Sequence, residues 1–171
     1  MKLNLGCGYK HKEGFINIDC FKGCKPDIVL DFNKFPYPFK DNSIDYIYSF
    51  HCLEHLDPNK IMRILEELYR ISKHHCIWEI HVPYYNSPST GNIDHKITWG
   101  FDSFNFIEKT HDRNYYSKVR GEVLEIVGVP SIVGKWIPFK KFRQYLSYFI
   151  GHIIRALEFK IRIIKKEDKE V

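Results

Sequence analysis

Two glycines and two acids stand in an order that could hold a nucleoside. Gly6 and Gly8 flank Cys7 after the apolar run Leu3-Asn4-Leu5, where glycine lets the backbone turn sharply and approach a ligand with no Cβ in the way. Asp19 closes Phe15-Ile16-Asn17-Ile18-Asp19, and a carboxylate at a strand end can accept hydrogen bonds from both hydroxyls of a ribose. Asp31 closes Asp27-Ile28-Val29-Leu30-Asp31 and is followed by Phe32. Its carboxylate could accept from an exocyclic amine while aromatic or aliphatic neighbours sandwich an adenine; capping the next turn is the competing role. The G-x-G-x-x-G fingerprint is incomplete, because position 11 is His, so a dinucleotide pyrophosphate is not indicated.

A second set of candidates is rich in histidine. His51-Cys52-Leu53-Glu54-His55 matches H-x-x-E-H, a zinc-hydrolase pattern. That chemistry needs a helix through Glu54 and a distant third ligand. A strand predicted to end at Ser49 and a helix predicted to start at Asp57-Pro58 leave about one turn. The expectation is therefore no metal, with His55 and Leu56 packed under the glycine loop and Glu54 as a cap or ion-pair partner. The adjacent His74 and His75 should point to opposite faces of a strand and serve as surface residues. His81 precedes Val82-Pro83 at the carboxyl end of a strand, where ligands of α/β sheets sit.

These residues need an α/β frame. Short apolar and alternating runs predict strands at 1–5, 15–19, 27–31, 44–49 and 76–82, the first three closed by glycine or acid, the fourth opened by the turn Asp41-Asn42-Ser43, and the fifth stopped by Pro83. Ile61, Ile64, Leu65, Leu68 and Ile71 recur at helical spacing, which predicts a helix over 58–73 with Asp57 as its cap. Phe35-Pro36-Tyr37-Pro38-Phe39 must be a loop. Residues 84–100 form a long loop of the kind that carries function. Beyond it the pattern predicts a short helix over 103–109 capped by Asp102, one or two strands within 115–127, a helix over 139–157 interrupted by Gly151, and an edge strand over 159–164.

The 171 residues suit one domain over 1–171, with 1–83 as a ligand-binding half and 84–171 as the substrate side. Hydrophobic residues at 44% and charged residues at 27% exclude disorder and collagen-like repeats. Five cysteines with no paired C-x-x-C, and no basic-then-apolar leader, predict a reducing cytoplasm. The mainly apolar stretch from Tyr145 to Leu157 is too short to span a bilayer. Between 139 and 166 the cations Lys140, Lys141, Arg143, Arg155, Lys160, Arg162, Lys165 and Lys166 meet only Glu158, so the net charge of +5 is concentrated there. With Phe139, Phe142, Tyr145, Tyr148 and Phe149 interleaved, this segment could make weak peripheral contact with an anionic membrane. Their spacing predicts that most of these rings are buried along one helix face, which leaves few to stack on bases and disfavours nucleic acid.

The strings LNLGCG, GFINID, DIVLDFNKFPYPFKDNSIDYIYSFHCLEHL and ILEELYRI together resemble the class I S-adenosylmethionine-dependent methyltransferases over residues 2–83. More narrowly they are similar to a short subgroup of predicted methyltransferases often found among surface-polysaccharide genes. The resemblance implies a Rossmann-like three-layer sandwich with a mostly parallel central sheet. It implies S-adenosylmethionine as cofactor, with the methionine part at Gly6, Cys7 and Gly8, the ribose at Asp19, and adenine at Asp31 and Phe32. Ser49, Phe50 and His51 would add contacts after the fourth strand. Ten residues between Gly8 and Asp19 are too few for the family's first helix plus a strand, so that helix must be shortened or lost. Asn92-Ile93-Asp94-His95 is similar to the family's acid-and-histidine loop, which implies His95 or His81 as the base, with Asp94 orienting His95. The implied reaction is methyl transfer to a small-molecule or glycan acceptor, such as a sugar hydroxyl. A cofactor-binding protein or subunit without transferase activity is the alternative, and a zinc hydrolase using the H-x-x-E-H string is the remote one.

Overall fold

A computed structural model describes residues 1–165. Its core is a seven-stranded sheet in the order β3-β2-β1-β4-β5-β7-β6. The strands are β1 (Lys2–Leu5), β2 (Ile16–Asp19), β3 (Ile28–Val29), β4 (Ile44–Phe50), β5 (Ser72–Pro83), β6 (Gly121–Pro130) and β7 (Ile154–Ile163). The first five pair in parallel, while β7 runs antiparallel to both β5 and β6. This is the Rossmann-like, mostly parallel sheet of the class I methyltransferase fold. The carboxyl ends of β1, β2 and β4 converge, which brings the glycine turn, Asp19 and His51 together at one edge of the sheet.

One face of the sheet is fully covered. Leu3, Ile47, Trp78, Ile80, Leu157, Phe159 and Ile161 alternate onto it and are buried. The helix α1 (Ile61–Ile71) contributes Ile64, Leu65, Leu68 and Ile71 to the same apolar cluster. Trp99 stacks on Phe104 at 5.4 Å, and Phe104 meets Phe159 edge-on at 4.9 Å, so the loops beyond β5 complete this layer. The opposite face carries Tyr46, Tyr48, Phe50, Glu79, His81, Glu158 and Lys160, none of them fully buried.

That face is thin because the expected first helix is reduced to turns. Residues 6–15 hold no helix and are instead pinned to the sheet by amide side chains. Asn4 Nδ2 donates to Lys10 O at 3.1 Å and to Asn17 Oδ1 at 2.8 Å, and the same Asn17 oxygen accepts from Lys12 N at 2.8 Å. Both asparagines are buried, so these bonds are protected from water.

Several expectations need correction. The helix expected at 58–73 begins at Ile61, because Asp57 Oδ1 accepts from Asn59 N at 2.9 Å and spends the Asp-Pro pair on a turn. The helix expected over 103–109 is a single 3-10 turn at Asn105–Ile107. The helix expected over 139–157 is only α2 (Lys140–Ser147), after which the chain turns and enters β7. The strand expected at an edge is β7, hydrogen-bonded on both sides. Its alternating Lys160 and Arg162 read as an edge because they lie on the thinly covered face. His74 and His75 do not point apart: His75 has φ of 65° within a bulge of β5, which brings the two ring centroids to 3.7 Å with the planes tilted by 34°.

The expected burial of the C-terminal rings is also overturned. Phe139, Phe142, Tyr145, Tyr148 and Phe149 are all exposed, together with Trp136 at 86%. The three-to-four spacing is real, but that side of α2 faces outward. The side facing in holds buried Ser147 and half-buried Leu146 and Arg143, and Arg143 Nη1 donates to Gly134 O and Ile137 O at 3.3 Å each. Lys166 of the basic segment lies outside the described residues.

Candidate functional site

A cavity of about 650 Å³ opens at the carboxyl ends of β1 and β4, lined by Asn4, the turn from Gly6 to Lys12, Tyr48, Phe50 and His51. Gly6 has φ of 61°, and a Cβ there would lie 2.5 Å from Cys52 Sγ, so only glycine fits on both counts. Gly8 has φ of 48°, and a Cβ there would meet nothing within 4 Å, which leaves open space beside its backbone. Cys7 is buried, and its N–H donates to Ile18 O at 3.0 Å, joining the turn to β2. Burial pushes the Cys7 thiol up to about 12, so it acts as an apolar filler.

Asp19 and the glycine turn come together as expected. Asp19 Oδ2 accepts from Gly8 N and Oδ1 from Phe21 N, each at 2.8 Å. These N–H groups fix the carboxylate at the mouth of the turn and leave each oxygen a lone pair for a ligand. Asp31 behaves differently. Its Oδ1 accepts from Asn33 N at 2.9 Å and Asn33 Nδ2 at 3.2 Å, the turn-capping role. Phe32 is buried and packs edge-on to Tyr37 at 6.0 Å, so its ring belongs to the core and is withdrawn from an adenine.

The end of β4 makes the other wall. Ser49 is buried and its Oγ has no partner among the described residues. His51 has φ of 52°, a left-handed conformation uncommon for a non-glycine residue and frequent at functional sites. Its backbone N–H donates to His81 O at 2.9 Å, and its ring Nδ1 lies 2.9 Å from Oε1 of the fully buried Glu54. The H-x-x-E-H string runs through one 3-10 turn, Leu53–His55, and no long helix.

The expected catalytic residues are only partly brought together. His95 sits beside His55, ring centroids 4.9 Å apart. Asp94 does not orient His95: its carboxylate lies 3.4 Å from His55 Nδ1, because the turn from Asn92 to His95 sends the two neighbouring side chains apart. His81 is held at Nε2 by Glu79 at 3.0 Å and at Nδ1 by Glu158 at 3.3 Å, so both ring nitrogens are already engaged. Sequence reasoning missed Lys10, His11, Lys12 and Tyr48 as lining residues. The Lys10 ammonium lies 4.6 Å from the Phe50 ring centroid and that of Lys12 lies 3.8 Å from Tyr48. The cationic run directly after the glycine turn was the available signal.

Residues 17–77 match the model of the methyltransferase domain family. No curated protein matches the chain. Among solved structures, it is similar to a SAM-dependent methyltransferase from Archaeoglobus fulgidus at 18% identity, covering 94% of this chain and 85% of that one with a TM-score of 0.62. A S-adenosylmethionine-dependent methyltransferase from Mesorhizobium loti shares 11% identity over 94% of this chain and 89% of that one, with a TM-score of 0.60. A chain of the complex between the Haloferax volcanii Trm112 methyltransferase activator and a putative methyltransferase shares 15% over 99% and 83%, again with a TM-score of 0.60. The domain match spans part of the chain, and the likeness to these solved structures shows the methyltransferase fold.

Proposed function

We propose that the protein transfers a methyl group from S-adenosylmethionine to a hydroxyl of a sugar or glycan, with His51 as the general base. The observation that carries this is the His51–Glu54 pair at the cavity wall: a buried carboxylate 2.9 Å from one ring nitrogen while the residue lines the donor cavity. A carboxylate so placed fixes the imidazole tautomer and stabilises the imidazolium that forms on accepting a proton. Gly6 and Gly8 offer backbone to the methionine part, and Asp19 offers its free lone pairs to the ribose hydroxyls. Asp31 stands at the end of β3 for the base, through its carboxylate alone. When bound, the cofactor supplies an electrophilic methyl on a sulfonium whose leaving group departs neutral. The chain therefore has to align the acceptor, exclude water and remove one proton. His81, already engaged at both nitrogens, serves as a brace between β5 and β7. Labelled methyl transfer to a panel of sugar hydroxyls tests the reading. His51→Gln should lower kcat by about 10² to 10⁴ with cofactor affinity kept. Cofactor binding without transfer to any hydroxyl would favour the non-catalytic alternative.

We further propose that the acceptor is met at an anionic membrane surface, through α2 and the turn before it. Trp136, Phe139, Phe142, Tyr145 and Phe149 are each more than half exposed, and Lys135, Lys140 and Lys141 are exposed among them. No Asp or Glu occurs between Ser131 and Leu157. Exposed rings with interspersed cations suit the headgroup boundary of an anionic bilayer, and no helix among the described residues is long and apolar enough to cross it. Sedimentation with anionic vesicles should show binding that falls by about 1 kcal/mol for each of Lys135, Lys140 and Lys141 changed to Gln. Equal sedimentation with neutral and anionic vesicles at low salt would remove this part of the reading.

A further inference from the structure

Behind His51 lies a cluster of which the methyl-transfer reading uses only Glu54, through its Oε1. Glu54, His55 and His95 each offer one ligand atom, and the three atoms lie within 4.8 Å of one another. Glu54 has 0% exposure, its Oε2 has no partner among the described residues, and the buried Nδ1 of His95 has none either. A buried carboxylate oxygen without a partner has lost its hydration uncompensated, so a fold that keeps one beside two imidazoles calls for a counter-charge. The cluster is also built. Lys96 N donates to Glu54 O at 2.8 Å and Ile97 N to the same oxygen at 3.2 Å, which latches the loop carrying His95 onto the backbone of Glu54. His55 turns Nδ1 toward Asp94, 3.2 Å from its carbonyl and 3.4 Å from its carboxylate, which leaves Nε2 as the ligand atom. An imidazole whose other nitrogen is held by a carboxylate or carbonyl is the usual state of a metal-ligating histidine.

We infer that Glu54, His55 and His95 bind a divalent first-row transition-metal cation, and that its open positions take oxygens of the acceptor. One carboxylate and two imidazoles suit zinc or manganese and leave coordination positions free. His51 is then an outer partner that orients Glu54. The no-metal expectation rested on the H-x-x-E-H string being too short a helix for its two histidines. The structure keeps that turn, sets His51 outside the ligand set and supplies His95 from a loop far along the chain. The role assigned to the cation rests on the methyl-transfer reading. A bound cation lowers the pKa of an alcohol it touches, so a hydroxyl ligand could lose its proton to His51. Two open positions would favour an acceptor with neighbouring oxygens, the vicinal diol of a sugar.

Metal binding is testable without turnover. The full chain, dialysed against chelator, is titrated with cobalt(II) and followed by visible absorption, with zinc competition read by calorimetry. One equivalent should bind. Glu54→Gln and His95→Asn should each weaken it by more than the roughly 10- to 100-fold that His51→Ala, the loss of an outer partner, should cause. S-adenosylmethionine affinity measured on every variant reports folding, and Asp19→Ala should keep cobalt while losing the cofactor. Cobalt affinity equal in wild type, Glu54→Gln and His95→Asn would overturn the site. Cobalt bound as expected by a chain that binds no S-adenosylmethionine would keep the site and overturn the methyl-transfer reading instead.

Discussion

The donor turn and the loop that carries His95 hold their polar side chains in opposite ways. At the glycine turn the side chains are held by the protein's own bonds: Asp19 takes two backbone N–H groups, Asn4 and Asn17 pin the turn, and Gly6 fits against Cys52 with no spare volume. Around Glu54 the backbone is latched but side-chain atoms are left open, at Glu54 Oε2 and His95 Nδ1. A site that always receives the same molecule can be preorganised by the protein's own bonds. A site that must accept an ion or a second substrate has to keep donors in reserve, and it carries the cost in its own stability.

That contrast sets an order of effects. Gly6→Ala should be the most damaging, at about 2 to 4 kcal/mol, from overpacking against Cys52 and a left-handed φ. Urea unfolding measures it, and adding Cys52→Ala should restore only a fraction of the steric part, because the Cβ of residue 52 would still lie 2.6 Å from the new methyl. Asp19→Ala should cost roughly 2 to 4 kcal/mol in cofactor affinity, because charged hydrogen bonds are worth about 1.5 to 3 each; calorimetry with S-adenosylmethionine reads it directly. Glu67 braces the proline loop, accepting from Tyr37 N at 3.0 Å and pairing with Arg70 at 2.8 Å, and the Arg70 guanidinium holds its carboxyl below the usual carboxylate range. Such a depressed group stabilises the fold at neutral pH, and the contribution is lost as pH falls through its folded value. Glu67→Gln should therefore cost about 1 kcal/mol at pH 7, with the difference from wild type closing in acid. His95→Ala should be smallest, within about 0.5 kcal/mol of wild type in the absence of added metal. A large loss there would erase the contrast between the two loops.

Where the sequence could be read, it was read through punctuation. β1 runs into Gly6, β2 ends at Asp19 and β5 at Pro83, and α1 shows its buried stripe at Ile64, Leu65, Leu68 and Ile71. The glycine turn and Asp19 were legible as neighbours because they sit at those ends. Two readings failed for one reason: polarity was taken to mean exposure at an edge, and apolarity to mean burial. β7 alternates because one of its faces lies under no helix, and α2 is amphipathic with its apolar side outward. Phe32 failed by a single step of the chain, since its neighbour Asp31 faces the turn while its own ring enters the core. The Glu54 cluster was hidden because two of its members and the third are distant in sequence, and they are joined by tertiary contacts alone, from Lys96 and Ile97 to Glu54 and from Asp94 to His55.

The strand order has a consequence for synthesis. Among the described residues β6 pairs only with β7, and β7 lies between β6 and β5, so a nascent chain delivers β6 before the strand that connects it to the rest of the sheet. At about 5 to 20 residues per second, the stretch from Pro130 to Ile154 leaves β6 unpaired for a second or more as it clears the ribosome. During that interval its Val123, Ile126 and Val127 present an open backbone edge to any neighbouring chain. The charges Glu122 and Glu125, three positions apart across the irregularity in the strand, are then its protection against association before the sheet closes.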